Sequence, residues 1–462
     1  MRNLASVIVL ASLAILGAAC APRYQVPQST IAAPQTLAAT GTSEAAFEAE
    51  WWRQFEDPVL DGLMAQALSA NRDLQAAASR FAAATEFAGA AALLRAPRGG
   101  ATAVASRQHL SVSETPGDAG SRSVSRVQTA IGVAWEADLF GRLRDTHRAA
   151  AAEAAASGMD ARGAQVAIAA QVASAYFELR GAEQDVALID RLQSSTQQQL
   201  ETTRVLIEAG RVTKLDLLRA QQVEDELAVA RSGALHRAER ARHRLATLTA
   251  QPVARLQIDV QAPRPLRAST LAIGAPSELL RRRPDVAGAE ARVQAAAARA
   301  GIARAELFPR VEVTGTVGLV AGSVGRLTDA AAGSWLIAPR LLWHALDWPR
   351  LRRELRAAGA LADAAFADYE QTVLVGIEET ETAIDAYAAA NRELQALERR
   401  ARSSADAANV VFIQYREGFV DSLARTQAER DAIAGALDAN RALTAHRMAV
   451  VGVYRALGGG WR

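Results

Sequence analysis

The sequence predicts an internally duplicated, mainly α-helical chain with a membrane β-barrel portion, four strands per protomer, that one copy cannot close alone. Three observations lead there. The stretch "EAGRVTKLDLLRAQ" at 208–221 returns in degenerate form as "REGFVDSLARTQAE" at 416–429. Each copy also carries segments of period-two alternation and a long run of helical periodicity. Gly210 matches Gly418, Val212 matches Val420 and Leu215 matches Leu423 at a separation of roughly 208 residues. With 5% aromatics in 462 residues, the chain has few large side chains for a thick core. Its formal charge of +2, with acids and bases interspersed, offers no patch for nucleic acid.

The amino terminus, "MRNLASVIVLASLAILGAAC", has Arg2, a mostly apolar run and then small residues. That pattern predicts a secretory signal peptide over 1–19, too short to span a membrane. Cys20 is the only cysteine, so no intramolecular disulfide can form. Its place after Gly17, Ala18 and Ala19 is that of the acylated cysteine of a bacterial lipoprotein. The expectation is a covalent lipid on Cys20, no other cofactor, and a lipidated segment over 20–57. The plain alternative is an ordinary cleavage that leaves Cys20 a free thiol.

The first repeat, 58–250, opens with the alanine-rich helix of "FEDPVLDGLMAQALSANRDLQAAASRFAAA". Two strands are expected at about 97–112 and 124–139, the second from Val127, Thr129, Ile131, Val133 and Trp135 alternating with Gln128, Ala130, Gly132 and Ala134. The first alternates poorly and rests on its place in the repeat. A helical hairpin over 140–250 follows, turned by Gly210. The Pro-rich link 251–275 lacks helical periodicity. The second repeat, 276–462, mirrors the first, with strands at about 309–321 and 333–345, a hairpin over 349–456 turned by Gly418, and a C-terminal segment. Narrow apolar seams run along the helices: Val172, Leu179, Val186 and Leu200, then Phe366, Val373, Tyr387 and Leu394.

No apolar stretch of membrane-spanning length follows the signal segment, so a membrane crossing must use strands. Four strands leave two open edges, whereas three copies supply about twelve and bacterial barrels start at about eight. Trp135, Trp335 and Trp343 in the strands and Trp348 just beyond suit an aromatic girdle at the membrane interface, or else plain packing. The six histidines, His109, His147, His236, His243, His344 and His446, show no metal-ligand spacing, and no phosphate loop or nucleophile elbow occurs. An enzyme is not expected.

Five segments carry a resemblance: "WWRQFEDPVLDGLMAQALSANRDLQAAASR", "WEADLFGRLR", "LLRRRPDVAGAEARVQAAAARAGIARAELFP", "DYEQTVL" and "YRALGGGW". Over essentially its whole length the chain resembles the outer membrane factor (TolC-like) family, in particular the NodT-type efflux lipoproteins. The resemblance implies a homotrimer with a twelve-stranded barrel in outer membrane lipid and a long α-helical barrel in the periplasm. Its link 251–275 would belong to an equatorial band. It implies export of small molecules such as drugs, with a periplasmic membrane fusion adaptor and an inner membrane resistance-nodulation-division transporter as partners. Gly210, Arg211, Val212 and Thr213, with Gly418, Phe419 and Val420, would then be the adaptor-docking tips. Asp216, Arg219, Asp421 and Arg425 would be periplasmic gate candidates, the plain alternative being solvated helix charges. In place of a Pro-Leu-Phe and Gly-Gly pattern common in relatives, this chain has "WHALDWPR" at 343–350. The competing functions are a structural periplasmic coiled-coil lipoprotein and a channel for protein secretion.

Overall fold

The computed structural model describes residues 24–29, 31, 42–43, 50–111, 123–258, 271–272 and 282–459. The signal segment 1–19, Cys20, and much of 20–57 and of the link 251–275 lie outside them. In chain order the principal elements are α1 (Pro58–Ala70), α2 (Arg72–Leu93), β1 (Arg98–His109), β2 (Ser123–Ala137), α3 (Arg142–Glu208) and α4 (Lys214–Leu248). The second copy gives α5 (Pro284–Ala305), β3 (Arg310–Ala321), β4 (Gly333–Leu342), α6 (Trp348–Arg416) and α7 (Ser422–Ala456). No described helix is long and apolar enough to cross a membrane. The 67 residues of α3 and 69 of α6 each supply about 100 Å of helical rise.

The chain divides into two compact units, each drawing on both copies. One holds residues 80–158 and 288–370 with the N-terminal strap 24–29. Its centre is an antiparallel sheet in the order β1-β2-β3-β4. The copies meet in this sheet through β2 and β3, with Ile131 opposite Val317 and Trp135 opposite Val313. Although β1 alternates poorly, all its residues from Arg98 to His109 pair with β2. Gly99, Gly100, Ala101, Ala103 and Ala105 give it little hydrophobic signal, and its conformation is set by the neighbouring strand.

The other unit holds the hairpin ends and the largest buried cluster. The few big side chains are concentrated here. Trp51 stacks on Tyr454 with ring centroids 5.1 Å apart, and Phe55 meets Phe177 edge-on at 4.7 Å. Leu60, Met64, Val172, Leu179, Leu245 and Leu457 close around them, each worth about 1.5–3 kcal/mol of burial. Of the seam positions, Val172, Leu179, Leu200, Val373, Tyr387 and Leu394 are buried. Thr380 also lies in the seam, its hydroxyl donating to Gly376 O at 2.8 Å. A two-residue parallel bridge joins Thr42 to Leu271 and Ser43 to Ala272, tying the N-terminal segment to the link between copies.

The copies are closed by equivalent staples with different chemistry. In the first, Asn71 is buried ahead of α2, and its amide donates to Leu248 O at the end of α4 (2.9 Å). Its side-chain oxygen accepts from the backbone N–H groups of Asp73 and Leu74, capping α2. In the second, Arg283 stands before α5 and donates to Ala456 O at the end of α7 (2.7 Å). It also grips Asp285 and Glu379 at 2.7 and 2.6 Å.

Candidate functional site

Alternation puts unlike chemistry on the two sheet faces. On one, Ala101, Ile131, Val317 and Trp335 lie in register across all four strands. Ile131 is 59% and Trp335 78% exposed, and the next row adds exposed Val133 and Ile337. A contiguous exposed apolar face of this kind seeks lipid or another protein surface. The opposite face carries Gln128, Thr314, Thr316 and the row Glu136, Glu312 and Arg340. Facing Glu136 and Glu312 repel, and the repulsion is offset by Arg142 gripping Glu136 through two bonds (3.0 and 2.6 Å) and Arg340 pairing with Glu312 at 2.6 Å. The outer edges of β1 and β4 have no partner strand among the described residues.

Trp335 lies near the loop end of β4, and Trp135, Trp343 and Trp348 lie at the helix end of the sheet. Eight residues separate Trp335 from Trp343, about 26 Å along a strand and about 20 Å along the normal at a tilt of about 40°. Two of these indoles also latch the fold in equivalent ways. Trp135 Nε1 donates to Arg95 O (3.1 Å) and Trp343 Nε1 to Leu307 O (3.2 Å), each reaching the chain just before the preceding strand. The sequence carries the signal for this pair as a shared repeat offset.

At 343–350 the chain makes a 3-10 turn over Ala345–Asp347 and enters α6 directly. His344 occupies the place of Glu136, so Arg350, the counterpart of Arg142, turns instead to Asp347 (3.2 Å) and Glu354 (2.7 Å). Leu346 is left 98% exposed, and the Arg352 guanidinium lies over the Trp348 ring at 4.0 Å.

The twin glycine motifs form matching turns. Gly210 has φ +67° and Gly418 φ +79°, a region that strains residues with a β-carbon. In the first turn Gly210 N–H donates to Ile207 O and Arg211 N–H to Leu206 O. In the second, Gly418 donates to Tyr415 O and Phe419 to Gln414 O. Both are Schellman ends, which satisfy the last helical carbonyls. Around them Arg211, Thr213, Leu215, Leu218, Leu423 and Phe419 are exposed, Phe419 at 80%, while Val212 and Val420 are half-buried.

Asp216 and Asp421 have local work in these turns. Asp216 accepts from Thr213 N–H (2.9 Å) and Thr213 O–H (2.8 Å), completing a capping box at the start of α4. Those bonds, the backbone one first, hold its carboxyl below the usual carboxylate range. Asp421 caps α7 by accepting from Ala424 N–H at 2.8 Å. Asp216, Arg219 and Arg425 meet around one cavity of about 420 Å³, together with Val212, Tyr415 and Leu423; Asp421 does not line it. Arg425 stands over the Tyr415 and Phe412 rings at 5.3 and 5.9 Å. Among the described residues, no ion pair joins either aspartate to Arg219 or Arg425.

The sequence profile of the outer membrane efflux protein family matches residues 63–251 and 275–459. The chain is 31% identical over 461 residues to outer membrane protein OprJ of Pseudomonas aeruginosa, covering 98% of this chain and 95% of that one. It is 30% identical to the toluene efflux pump outer membrane protein TtgF of Pseudomonas putida, over 97% of this chain and 95% of its relative. Among solved structures, the outer-membrane channel OprN aligns with a TM-score of 0.86 at 36% identity, covering 95% of this chain and 99% of that one. The open state of the MtrE outer membrane channel of Neisseria gonorrhoeae aligns at 0.84 and 28% identity, over 95% and 98%.

Proposed function

The chain belongs to the outer membrane efflux protein family, and from that premise we propose that three copies form the outer membrane duct of a tripartite pump that exports small molecules. The observation that carries the trimer is the open four-stranded sheet with its exposed apolar face. Left in hydrocarbon, its two edges would expose about twenty unpaired backbone groups, costing on the order of tens of kcal/mol. Joining β4 of one copy to β1 of the next removes that cost and yields twelve strands. The full-length protein in detergent should run as a trimer by native mass spectrometry and conduct ions in a planar bilayer. A monomer that never conducts would refute this.

Family membership favours transport over a coiled-coil tether, and the relatives' names favour small cargo. Those names mention toluene, antibiotics and pyoverdine, which share little chemistry. That breadth supports a permissive tunnel, with selection made by an inner membrane transporter. Deleting the gene and profiling sensitivity to antibiotics and solvents tests the cargo class.

Three finer assignments belong to the same proposal. Cys20 carries the lipid anchor, supported by its position after the signal segment; Cys20→Ser should abolish palmitate labelling. The exposed tips at Gly210–Thr213 and Gly418–Val420 dock a periplasmic adaptor, supported by their matching turn geometry and by the exposure of Arg211, Thr213 and Phe419, and Phe419→Asp should weaken adaptor crosslinking without loss of trimer. The aspartates and arginines near the tips act across neighbouring copies as a gate. Arg219→Ala or Arg425→Ala should raise resting conductance, and Asp216→Ala or Asp421→Ala should reduce cation selectivity. Recordings identical to the parent in all four would place the gate elsewhere.

A further inference from the structure

We propose that the cavity beneath the N-terminal strap holds the phosphate of a membrane phospholipid, a site that rests on the outer membrane reading above. The cavity, of about 630 Å³, lies wholly within the strand-bearing unit. Tyr24 and Val26 of the strap form one wall, the first turns of α3 another and the last turns of α5 a third. Its volume falls within the range of about 300–1,000 Å³ typical of small-molecule sites.

The lining is cationic and amphipathic. Among the described residues that line it, Arg144, Arg148 and Arg304 face it with Asp145 the one carboxylate, and His147 and Gln294 add polar groups. Asp145 is engaged by Arg148 at 3.2 Å and stands 3.8 Å from Arg144 Nε. That Nε is sealed from solvent and makes no hydrogen bond among the described residues, so a donor awaits an acceptor. Arg144 and Arg148 share the single carboxylate of Asp145, an excess of positive charge that suits a phosphate. The floor is apolar: Ala151, Ala152, Ala297 and Ala298 accept the glycerol and first methylenes of a lipid better than a free anion.

Position supplies the rest. Phe140 is three residues past the end of β2, and Arg304 is six residues before the start of β3. If the strands cross the bilayer, the cavity opens at its periplasmic interface, where headgroup phosphates lie. The strap is held in place by Tyr24 O–H donating to Asp363 (2.9 Å) and Ser29 O–H donating to Glu370 (3.1 Å). Cys20 is four residues upstream of Tyr24, a reach of at most about 14 Å. An acyl anchor on Cys20 and a bound phospholipid would therefore occupy the same patch of membrane.

The test uses the delipidated full-length trimer and native mass spectrometry with three probes: dioctanoyl phosphatidylglycerol, inorganic phosphate and dioctanoylglycerol. The parent should retain phosphatidylglycerol at one per chain and bind the other two at least tenfold more weakly. The pair Arg144→Gln with Arg148→Gln should cut phosphatidylglycerol affinity at least tenfold. Ala152→Leu, which fills the floor and leaves the charges intact, should weaken it as well if the trimer forms. Arg352→Gln, at the place in the second copy that matches Arg144, should leave it unchanged. Equal binding of dioctanoylglycerol, equal binding of inorganic phosphate, or unaltered lipid binding by both cavity variants would overturn the proposal. Ion conductance of the same preparation reports separately on the channel reading.

Discussion

Replacing Arg283 by Met should loosen the closure of the second copy while sparing the rest of the molecule. Arg283 is buried, and its guanidinium donates to Ala456 O at 2.7 Å, to Asp285 at 2.7 and 3.1 Å and to Glu379 at 2.6 Å. The two carboxylates are each 48% exposed, so they rehydrate when released, and each pair contributes only about 0.2–1 kcal/mol. The Ala456 carbonyl cannot rehydrate so easily, and losing its short bond, with only the Thr380 hydroxyl left at 3.5 Å, costs about 1–3 kcal/mol. Methionine keeps much of the apolar stem, so the packing loss is small.

The total is about 1.5–5 kcal/mol, a rise of about tenfold to several thousandfold in local opening. Hydrogen exchange by mass spectrometry on the intact protein reads it directly. Peptides covering 284–290 and 450–459 should exchange faster by that factor, and a peptide over 206–216 should not. Arg283→Lys should fall between, because an ammonium keeps charge but loses the planar fork. Acceleration under about threefold at the closure, or equal acceleration at the tip, would refute the assignment of Arg283 as a local staple.

Ala250 holds φ +54° in the turn that ends α4, where the second copy has Gly458 at φ +71°, so Ala250→Gly should stabilise that turn by about 0.5–1 kcal/mol, read as slower exchange at 246–252. Conversely, Gly210→Ala should cost about 1–2 kcal/mol at the tip from backbone strain alone, since no atom lies within 4 Å of the added β-carbon; unaltered tip exchange would contradict this. Trp135→Phe and Trp343→Phe should each cost about 0.5–1.5 kcal/mol through the lost indole bond, seen as easier heat dissociation of the oligomer in detergent. Because the folded Asp216 carboxyl is depressed, its capping contribution is present above the unfolded carboxylate range and is lost as pH falls through the folded value. Exchange at 213–217, corrected for its intrinsic rate, should therefore rise in acid, and Asp216→Asn should remove that dependence.

What the sequence made legible was local. Alternation in 127–135 marked β2, and glycines in repeated surroundings marked the turns because a left-handed residue favours glycine whatever surrounds it. The capping box is equally local: Thr213 followed by Asp216 three residues on is its signature, a role distinct from both the gate and the solvated-charge readings of that carboxylate. The Trp latches, the Arg283 staple and the stacking of Trp51 on Tyr454 escaped because each joins chain segments far apart in sequence. A periodicity marks a face as apolar without saying what covers it.

Divergence between the copies bears on how a trimer would engage partners. The tips agree where backbone geometry decides, at Gly210 and Gly418, and differ where surface chemistry decides. The first presents Arg211, Thr213 and Lys214; the second presents Phe419 and Asp421. In the proposed trimer, six turns of one shape would thus alternate between a basic, hydroxylated tip and an apolar, acidic one. A partner that read only shape would treat all six alike, whereas one that read charge would distinguish three from three. Exchanging Arg211→Asp leaves the first turn's backbone untouched and tests which is used. If shape governs, adaptor crosslinking at both tips persists; if charge governs, crosslinks at the first tip fall selectively while those at Phe419 remain.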